Sequence, residues 1–223
     1  MRGKIVVTLA LFASLEAASL TSVARPATPD PGRRVAAALL SAATTNDAKT
    51  LWSLLSKPSQ RRLGPTFKAF ESAGARRIER ALRPFERPSV KLFISQNVTT
   101  RFGVVAMRLG ARALAFPLRR EQKAWKIETP GPLAIRILGP EPGSRGRVSQ
   151  VAFEARAPGP IRDAIVFVDG RLYRPTLAYA GTKRIATVFV SLPKPLARGM
   201  HIAVAYADQG SNVSAEAWAF SAS

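Results

Sequence analysis

The spacing of apolar residues changes once along this chain, and the change limits the folds that the chain can adopt. Before about residue 85 apolar side chains recur every three or four positions, as Leu39 and Ala42 do, and this spacing predicts helices. From about residue 90 they alternate, as Val104 and Ala106 do, which predicts strands. Helices followed by four or more antiparallel strands indicate an α+β module in which a curved sheet wraps around helices.

Local signals set the predicted bounds of these elements. An opening helix is expected from about residue 33, and Asn46 and Asp47 then provide a stop and an N-cap for a second helix over 48–56. A third helical segment spans 66–85, where Pro84 and Pro88 end it. The first four strands are predicted at 90–94, 102–106, 114–118 and 125–127.

Glycine and proline divide the chain into two modules. The segment 139–146 holds three glycines and two prolines without an apolar pattern, which is typical of a linker. Beyond it, about seven short alternating runs without a helix signal predict a β-sandwich. The predicted organisation is a signal peptide at 1–24, a flexible leader at 25–32, an α+β domain at 33–138, a linker at 139–146 and a sandwich at 147–223.

The N-terminal residues predict export. Arg2 and Lys4 precede an apolar run at 5–13 that is too short to span a bilayer, and Ser22 and Ala24 suit a signal peptidase that cleaves before Arg25. A retained membrane anchor is the alternative. The chain has no cysteine, so an exported form relies on apolar cores and not on disulfides.

Positive charge is concentrated in the first module. The chain has a formal net charge of +20, and residues 25–140 hold 22 lysines and arginines against seven acids. Residues 141–223 hold ten against six. Four arginines at helical spacing form a predicted basic stripe for an anionic partner: Arg76, Arg80, Arg83 and Arg87. The alternative is a solvated helix face in which Glu79 pairs with Arg83.

Few residues have the chemistry of a catalytic or metal site. His201 is the single histidine, and because no partner is evident in the sequence, a structural role in a strand is favoured over a proton shuttle. Among the carboxylates of the first module, Glu71 is the candidate nearest a pocket, although an exposed helix position fits it better. Glu128 is placed on the strand face opposite Trp125 and Ile127. No catalytic residue, metal or cofactor is predicted.

The first module resembles the NTF2-like superfamily of cone-shaped, SnoaL-type domains. The resemblance covers residues 33–138 and rests on the opening helix, the turn at 46–48, the helix over 51–56 and the closing strand pair over 116–127. It implies helices packed inside a curved sheet. Enzymes of this superfamily use an acid and a polar oxyanion partner inside the cone, but this stretch contains neither tyrosine nor histidine.

The second module resembles bacterial immunoglobulin-like domains of surface and secreted proteins. The matching features are the turn at 168–170, the strand entry at 196–201, the loop at 207–212 and Trp218 and Phe220 in the last strand. The loop departs from the usual pattern because Ser211 interrupts its Gly-Asn pair. The resemblance implies a sandwich without a disulfide.

These observations favour an exported, non-catalytic binding or accessory protein. Its basic first module is expected to contact an anionic envelope polymer or lipid surface, or another envelope protein. Export makes nucleic acid an improbable partner. Two alternatives remain open: a small-molecule binder or enzyme that uses the interior of the cone, and a structural spacer within an envelope assembly. A cone filled by apolar side chains would favour the binding or accessory role, and a deep polar pocket would favour the small-molecule binder or enzyme.

Overall fold

The computed structural model describes residues 30–85, 92–173 and 175–223. Helices are confined to the N-terminal part of this range, and the rest is mostly β-sheet. A π-helical turn, Phe70–Gly74, joins two of the helices, and a 3-10 turn, Arg83–Phe85, follows the last. The helices are α1 (Pro31–Thr44), α2 (Ala48–Leu54), α3 (Lys57–Leu63), α4 (Phe67–Ala69) and α5 (Ala75–Leu82).

Side-chain caps explain where the helices begin. The Asp30 carboxylate accepts from the Gly32 amide at 2.7 Å, so α1 starts within the predicted leader, of which 25–29 lie outside the described residues. Pro31 lies in the first turn of α1, where proline is favourable, so its presence in the predicted leader does not prevent the helix. Asp47 caps α2 as predicted. Helix α3 was not predicted, because Ser59 is its single fully buried residue and no apolar periodicity marks it.

Four strands form the first sheet, sheet A, in the order β1-β2-β3-β4. All neighbours are antiparallel, as the alternating sequence predicts. Gln122 and Lys123, both with positive φ, make the tight turn between the last two strands. The strands are β1 (Leu92–Asn97), β2 (Phe102–Leu109), β3 (Arg112–Glu121) and β4 (Ala124–Ile127).

The helices cover one face of sheet A with an apolar core. Helical side chains such as Leu51 and Phe70, neither of them exposed, pack against Val105, Met107 and Leu118 of the sheet. The described space between helices and sheet is therefore filled by leucine, phenylalanine and alanine. An interior packed in this way leaves the outer surface as the part of the module that is accessible to a partner.

Nine further strands form a sandwich of two sheets. Sheet B has the order β10-β11-β7-β5, and sheet C has the order β6-β13-β12-β8-β9. Their facing sides enclose one apolar core that includes Phe153, Val188 and Trp218. The all-β half thus fits the predicted sandwich class. The strands are β5 (Ala134–Gly139), β6 (Arg145–Gly146), β7 (Gln150–Arg156), β8 (Asp163–Val168), β9 (Arg171–Tyr173), β10 (Thr176–Ala180), β11 (Ile185–Ser191), β12 (Gly199–Asp208) and β13 (Val213–Ala222).

The boundary between the modules differs from the prediction. The predicted first domain, 33–138, includes most of β5, yet this strand pairs with β7 of the sandwich. The segment 139–146 is also bound to the sandwich, since the Gly143 amide donates to the Ala219 carbonyl and the Ser221 amide donates to the Ser144 carbonyl. Alternation in β5 gives no information about which sheet it joins, so its placement depends on a long-range pairing.

Sheet A also packs against the sandwich, on the face opposite the helices. Val104 and Ala106 of β2 contact an apolar layer on sheet C that includes Ile202, Val204 and Tyr206. Sheet A is consequently buried on both faces, which explains why β2 is a nearly continuous apolar run. The described chain therefore stacks helices, sheet A, sheet C and sheet B as successive layers.

Candidate functional site

Three arginines of the predicted stripe line one groove on the helical layer. Arg76 and Arg80 lie one turn apart on α5, and Arg83 follows in the 3-10 turn. Together with Thr44 and Asn46 at the end of α1 they surround a space of about 350 Å³. We call this space the basic groove. Arg87, the fourth arginine of the stripe, lies outside the described residues.

The arginines of the basic groove are exposed and lack described ion pairs. No carboxylate of the described residues lies within 4.0 Å of the guanidinium nitrogens of Arg76, Arg80 or Arg83. The expected pair between Glu79 and Arg83 is thus not formed. Arg76 Nε donates to the Ser72 carbonyl at 3.0 Å, which holds this side chain along the helix. Glu79 also lines the groove, so three guanidinium groups and one carboxylate surround it and its net charge is positive.

The π-helical turn sets the orientation of α5. A Cβ atom on Gly74 would lie 2.5 Å from the Phe70 ring and 2.7 Å from the Leu63 carbonyl, so glycine is required for this close approach. The turn buries Phe70 completely. Beyond it Ala75 and Leu82 face the core, and the arginines between them face outward.

A second polar cluster, the Glu128 joint, lies beneath the helical layer. The Glu128 side chain is 1% exposed, and Arg62 Nη2 and Arg119 Nε donate to its two oxygens at 2.6 and 2.8 Å. Ser56 Oγ lies 2.6 Å from Oε2 and donates a third hydrogen bond. The two guanidinium groups and the hydroxyl supply the hydrogen-bond partners that a buried carboxylate requires.

The Glu128 joint connects three parts of the molecule. The Thr129 amide donates to Ser59 Oγ of α3 at 2.7 Å, and Arg119 Nη2 donates to the Ser211 carbonyl in the loop between β12 and β13 at 2.8 Å. Sequence reasoning missed this cluster, because Arg62 and Glu128 are 66 residues apart and no motif relates the members. The described contacts are those of a structural carboxylate.

His201 has two partners that the sequence did not reveal. Its Nδ1 lies 2.6 Å from Asp169 Oδ2, and its Nε2 lies 2.7 Å from the Ala197 carbonyl. Both partners accept, so both ring nitrogens donate when the imidazole is protonated. Asp169 also accepts from the Ile202 amide at 3.0 Å. These contacts tie the turn between β8 and β9 to β12, which is a structural role.

A cleft lies where the helical layer, sheet A and the sandwich meet. Its volume is about 490 Å³, and we call it the junction cleft. Two arginines and one carboxylate face it, and the pKa of that carboxylate, Glu216, is raised by burial. Its remaining lining is mostly apolar and includes Ile78, Leu114 and Phe116. Glu71, in contrast, is exposed on the π-helical turn.

The described residues contain no group of three or more acids or histidines that could hold a metal ion. Within the same residues, no helix combines the length and the apolar character needed to cross a membrane. The sites available for comparison are therefore the basic groove and the junction cleft.

The fold defines a class of protein with helices on a four-stranded antiparallel sheet that packs against a two-sheet β-sandwich. No known protein family and no curated protein matches the chain. Among solved structures, the methionine-rich copper resistance protein PcoC from Escherichia coli is 9% identical, covers 36% of this chain and 87% of its own, and has a TM-score of 0.24. The titin M3 domain is 14% identical, covers 36% of this chain and 85% of its own, and has a TM-score of 0.25. A chain of the titin M10–obscurin-like 1 Ig complex is 13% identical, covers 40% of this chain and 93% of its own, and has a TM-score of 0.27. At such TM-scores the likeness carries no argument about a ligand or activity.

Proposed function

We propose that this chain is an exported, non-catalytic binding or accessory protein of a cell envelope, and that its basic groove contacts an anionic polymer or lipid surface. The observation that carries the proposal is the set of exposed guanidinium groups around one groove, without described carboxylate partners. Anionic phosphate groups bind such guanidinium groups through charge-assisted hydrogen bonds.

The N-terminal sequence supports the proposed location. Its two cations, short apolar run and small residues before Arg25 are those of a secretory signal. In a secreted or periplasmic setting, phosphate-bearing lipids and polymers are accessible to a basic surface, whereas nucleic acid is not the expected partner. Another envelope protein with an acidic surface would satisfy the same groove.

The packing of the helical layer supports a surface role over a cone-interior role. We propose an NTF2-like relationship for the first module, supported by helices that cover one face of an antiparallel sheet. Its described interior is filled by fully buried residues such as Leu51 and Met107, so a ligand there would have to displace core side chains. An immunoglobulin-like relationship for the second module is proposed on its two-sheet core and on the turn at Asp169 and Gly170.

The expected strength of the interaction follows from the number of cations. Each basic residue near an anionic membrane is worth about 1 kcal/mol, so Arg76, Arg80 and Arg83 together supply about 3 kcal/mol, or about a hundredfold in affinity. That gain suits reversible adhesion to a surface that presents many phosphates.

The experiment compares wild type with two variants of equal charge. The groove variant carries R76Q, R80Q and R83Q, and the control carries R136Q, R156Q and R171Q on the sandwich. Sedimentation with phosphatidylglycerol vesicles is expected to show a loss of about a hundredfold in affinity for the groove variant and a several-fold loss for the control. Equal losses in both variants would contradict the proposal, because net charge alone would then explain binding.

Two further probes separate the possible sources of phosphate. Soluble polyphosphate represents an anionic polymer, and the vesicles represent a lipid surface. Stronger dependence on the groove with polyphosphate indicates a polymer partner, and the reverse indicates a membrane. Binding should weaken as salt rises, because exposed charges are screened over about 8 Å at physiological ionic strength.

A further inference from the structure

The junction cleft contains an open edge of sheet A. Strand β3 runs from Arg112 to Glu121, but β4 pairs with its last four residues alone, from Leu118 to Glu121. On the side of β3 that faces β4, no described strand pairs with residues 112–116. The opposite side of this segment is occupied by β2.

Two hydrogen bonds show which backbone groups point toward the open edge. The Pro117 carbonyl accepts from the Glu128 amide on the β4 side at 2.8 Å, whereas the Arg120 amide donates to the Arg101 carbonyl on the β2 side at 2.8 Å. Because the direction of these groups alternates along a strand, Ala113 and Ala115 point the same way as Pro117. Their amides and carbonyls therefore face away from β2 at the open edge.

The surroundings of this edge distinguish it from an ordinary solvated edge. Ala115 is 9% exposed and lines the cleft, so its backbone groups lie in a confined space where unpaired donors and acceptors are costly. Ile78 and Phe116 provide apolar walls. An occupant that donates and accepts at the edge while burying apolar side chains fits both features.

Two guanidinium groups from the helical layer line the cleft, and the Glu216 carboxylate of β13 lines it as well. Arg62 Nη2 is fixed by Glu128 Oε1 at 2.6 Å and by the Thr129 carbonyl at 2.8 Å, so its side chain is positioned before any ligand arrives. Arg77 is exposed, and no described carboxylate lies within 4.0 Å of it. Because Glu128 already compensates Arg62, the exposed Arg77 supplies the unpaired positive charge on the helical side of the cleft, and that charge is complementary to an acidic side chain.

We propose that the junction cleft binds an extended acidic peptide segment of a partner protein, which adds to the open edge of β3 as a further strand. Main-chain hydrogen bonds to Ala113 and Ala115 provide affinity, and alternate side chains reach the apolar wall and the two arginines. An acyl chain would fill the apolar space but would leave these backbone groups unpaired. The site is separate from the basic groove and does not depend on the function proposed for it.

The test follows the backbone amides of the full chain by NMR. The probe is the blocked peptide acetyl-Val-Glu-Val-Glu-Val-amide, and its charge-reversed control replaces both glutamates by lysine. The acidic peptide is expected to slow hydrogen exchange of the Ala113 and Ala115 amides by about tenfold or more, while the lysine peptide leaves their exchange unchanged. Dodecyl phosphate serves as the acyl probe.

Three variants determine whether the contacts are those proposed. Arg77→Gln should weaken the acidic peptide by about fivefold to tenfold. Ala115→Pro should abolish binding and keep the ladder to β2, because the lost amide points outward as at Pro117. The groove variant of Arg76, Arg80 and Arg83 should bind the peptide as well as wild type does. If Ala115→Pro does not fold, the exchange measurement and Arg77→Gln decide the outcome.

Several results would overturn the proposal. They are the absence of any exchange or shift change up to about 1 mM acidic peptide, equal binding of the lysine peptide, and binding that leaves the Ala115 amide unprotected. Protection of the cleft by dodecyl phosphate but not by peptide would assign it to an amphipathic lipid instead. Wild-type protein that binds the acidic peptide but binds neither the vesicles nor polyphosphate would support this proposal and contradict the function proposed for the basic groove.

Discussion

Arginines on the two outer faces of the molecule have different environments. On sheet B, Arg156 and Arg136 flank Glu154 at 2.7 and 4.0 Å, and the hydrogen bond from Arg156 lowers the pKa of that carboxyl below its ordinary value. On the helical layer, Arg76 and Arg80 have no described carboxylate within the same range. The placement of acidic residues, more than the number of arginines, therefore determines which basic face is available to an anion.

A third environment lies between these two faces. Arg62 and Arg119 are committed to Glu128, which is buried at the junction of helices, sheet and sandwich. The chain thus uses arginine for an internal joint, for a surface pair and for an open groove. Each environment predicts a different effect of substitution on stability or on anion binding.

The largest effect is expected at the Glu128 joint. Glu128→Gln removes the charge that compensates Arg62 and Arg119, and breaking a buried pair of this kind costs about 3–5 kcal/mol. Urea denaturation of wild type and variant measures the change in the free energy of unfolding. Glu71→Gln is the control, since that side chain is exposed, and its effect should stay within about 0.5 kcal/mol. A loss below about 1 kcal/mol at Glu128 would show that the joint is dispensable.

The next effect concerns the layer that joins sheets A and C. Ile202 has no exposed surface, so Ile202→Ala should cost about 2–4 kcal/mol. Because the layer belongs to both modules, far-UV circular dichroism and the fluorescence of Trp52, Trp125 and Trp218 should report one shared unfolding transition that shifts as a whole. Two separate transitions, with only the sandwich destabilised, would instead support the independent modules that the sequence suggested.

A smaller effect is expected at the surface pair on sheet B. Glu154→Gln should cost about 0.2–1 kcal/mol near neutral pH, because exposed ion pairs contribute little. The folded pKa of Glu154 is lowered, so its stabilisation is present above its unfolded value of 4.5 and is lost as the pH falls through the folded value.

Glu154→Gln also tests whether pairing with Glu154 keeps the sandwich arginines from binding an anion. Once Glu154 is neutral, Arg136 and Arg156 are freed, and phosphatidylglycerol vesicles should bind the variant several-fold more tightly than wild type. Chemical denaturation at pH 7 and below pH 4 measures the stability difference. A difference that grows in acid, or an unchanged affinity for vesicles, would contradict the role given to the pairing.

Local patterns predicted much of the fold because they depend on neighbouring residues. The cap at Asp47, the period-two strands of sheet A and the turn at Asp169 and Gly170 follow from short-range sterics and hydrogen bonding. The pairing of β5 with the sandwich does not follow from local patterns, since its alternation suits either sheet. The segment 139–146 has the composition of a linker but lies hydrogen-bonded along β13.

The candidate sites show the same division between local and long-range information. Arg76, Arg80 and Arg83, which share helical spacing, line one groove. Ser56 lies 72 residues from Glu128 and Asp169 lies 32 residues from His201, and no motif connects either pair. The open edge of β3 depends on the short length of β4, which alternation alone could not indicate.

The most direct measurement follows the arginine Nε–H signals by NMR during a titration with polyphosphate. The account predicts that the signals of Arg80 and Arg83 shift first, with Arg76 following as its bond to the Ser72 carbonyl is exchanged for phosphate. Arg119 and Arg156, which are held by Glu128 and Glu154, should keep their signals until much higher concentrations. Simultaneous shifts of all five signals, or an earlier shift of Arg156, would contradict the claim that unpaired arginines of the basic groove form the anion site.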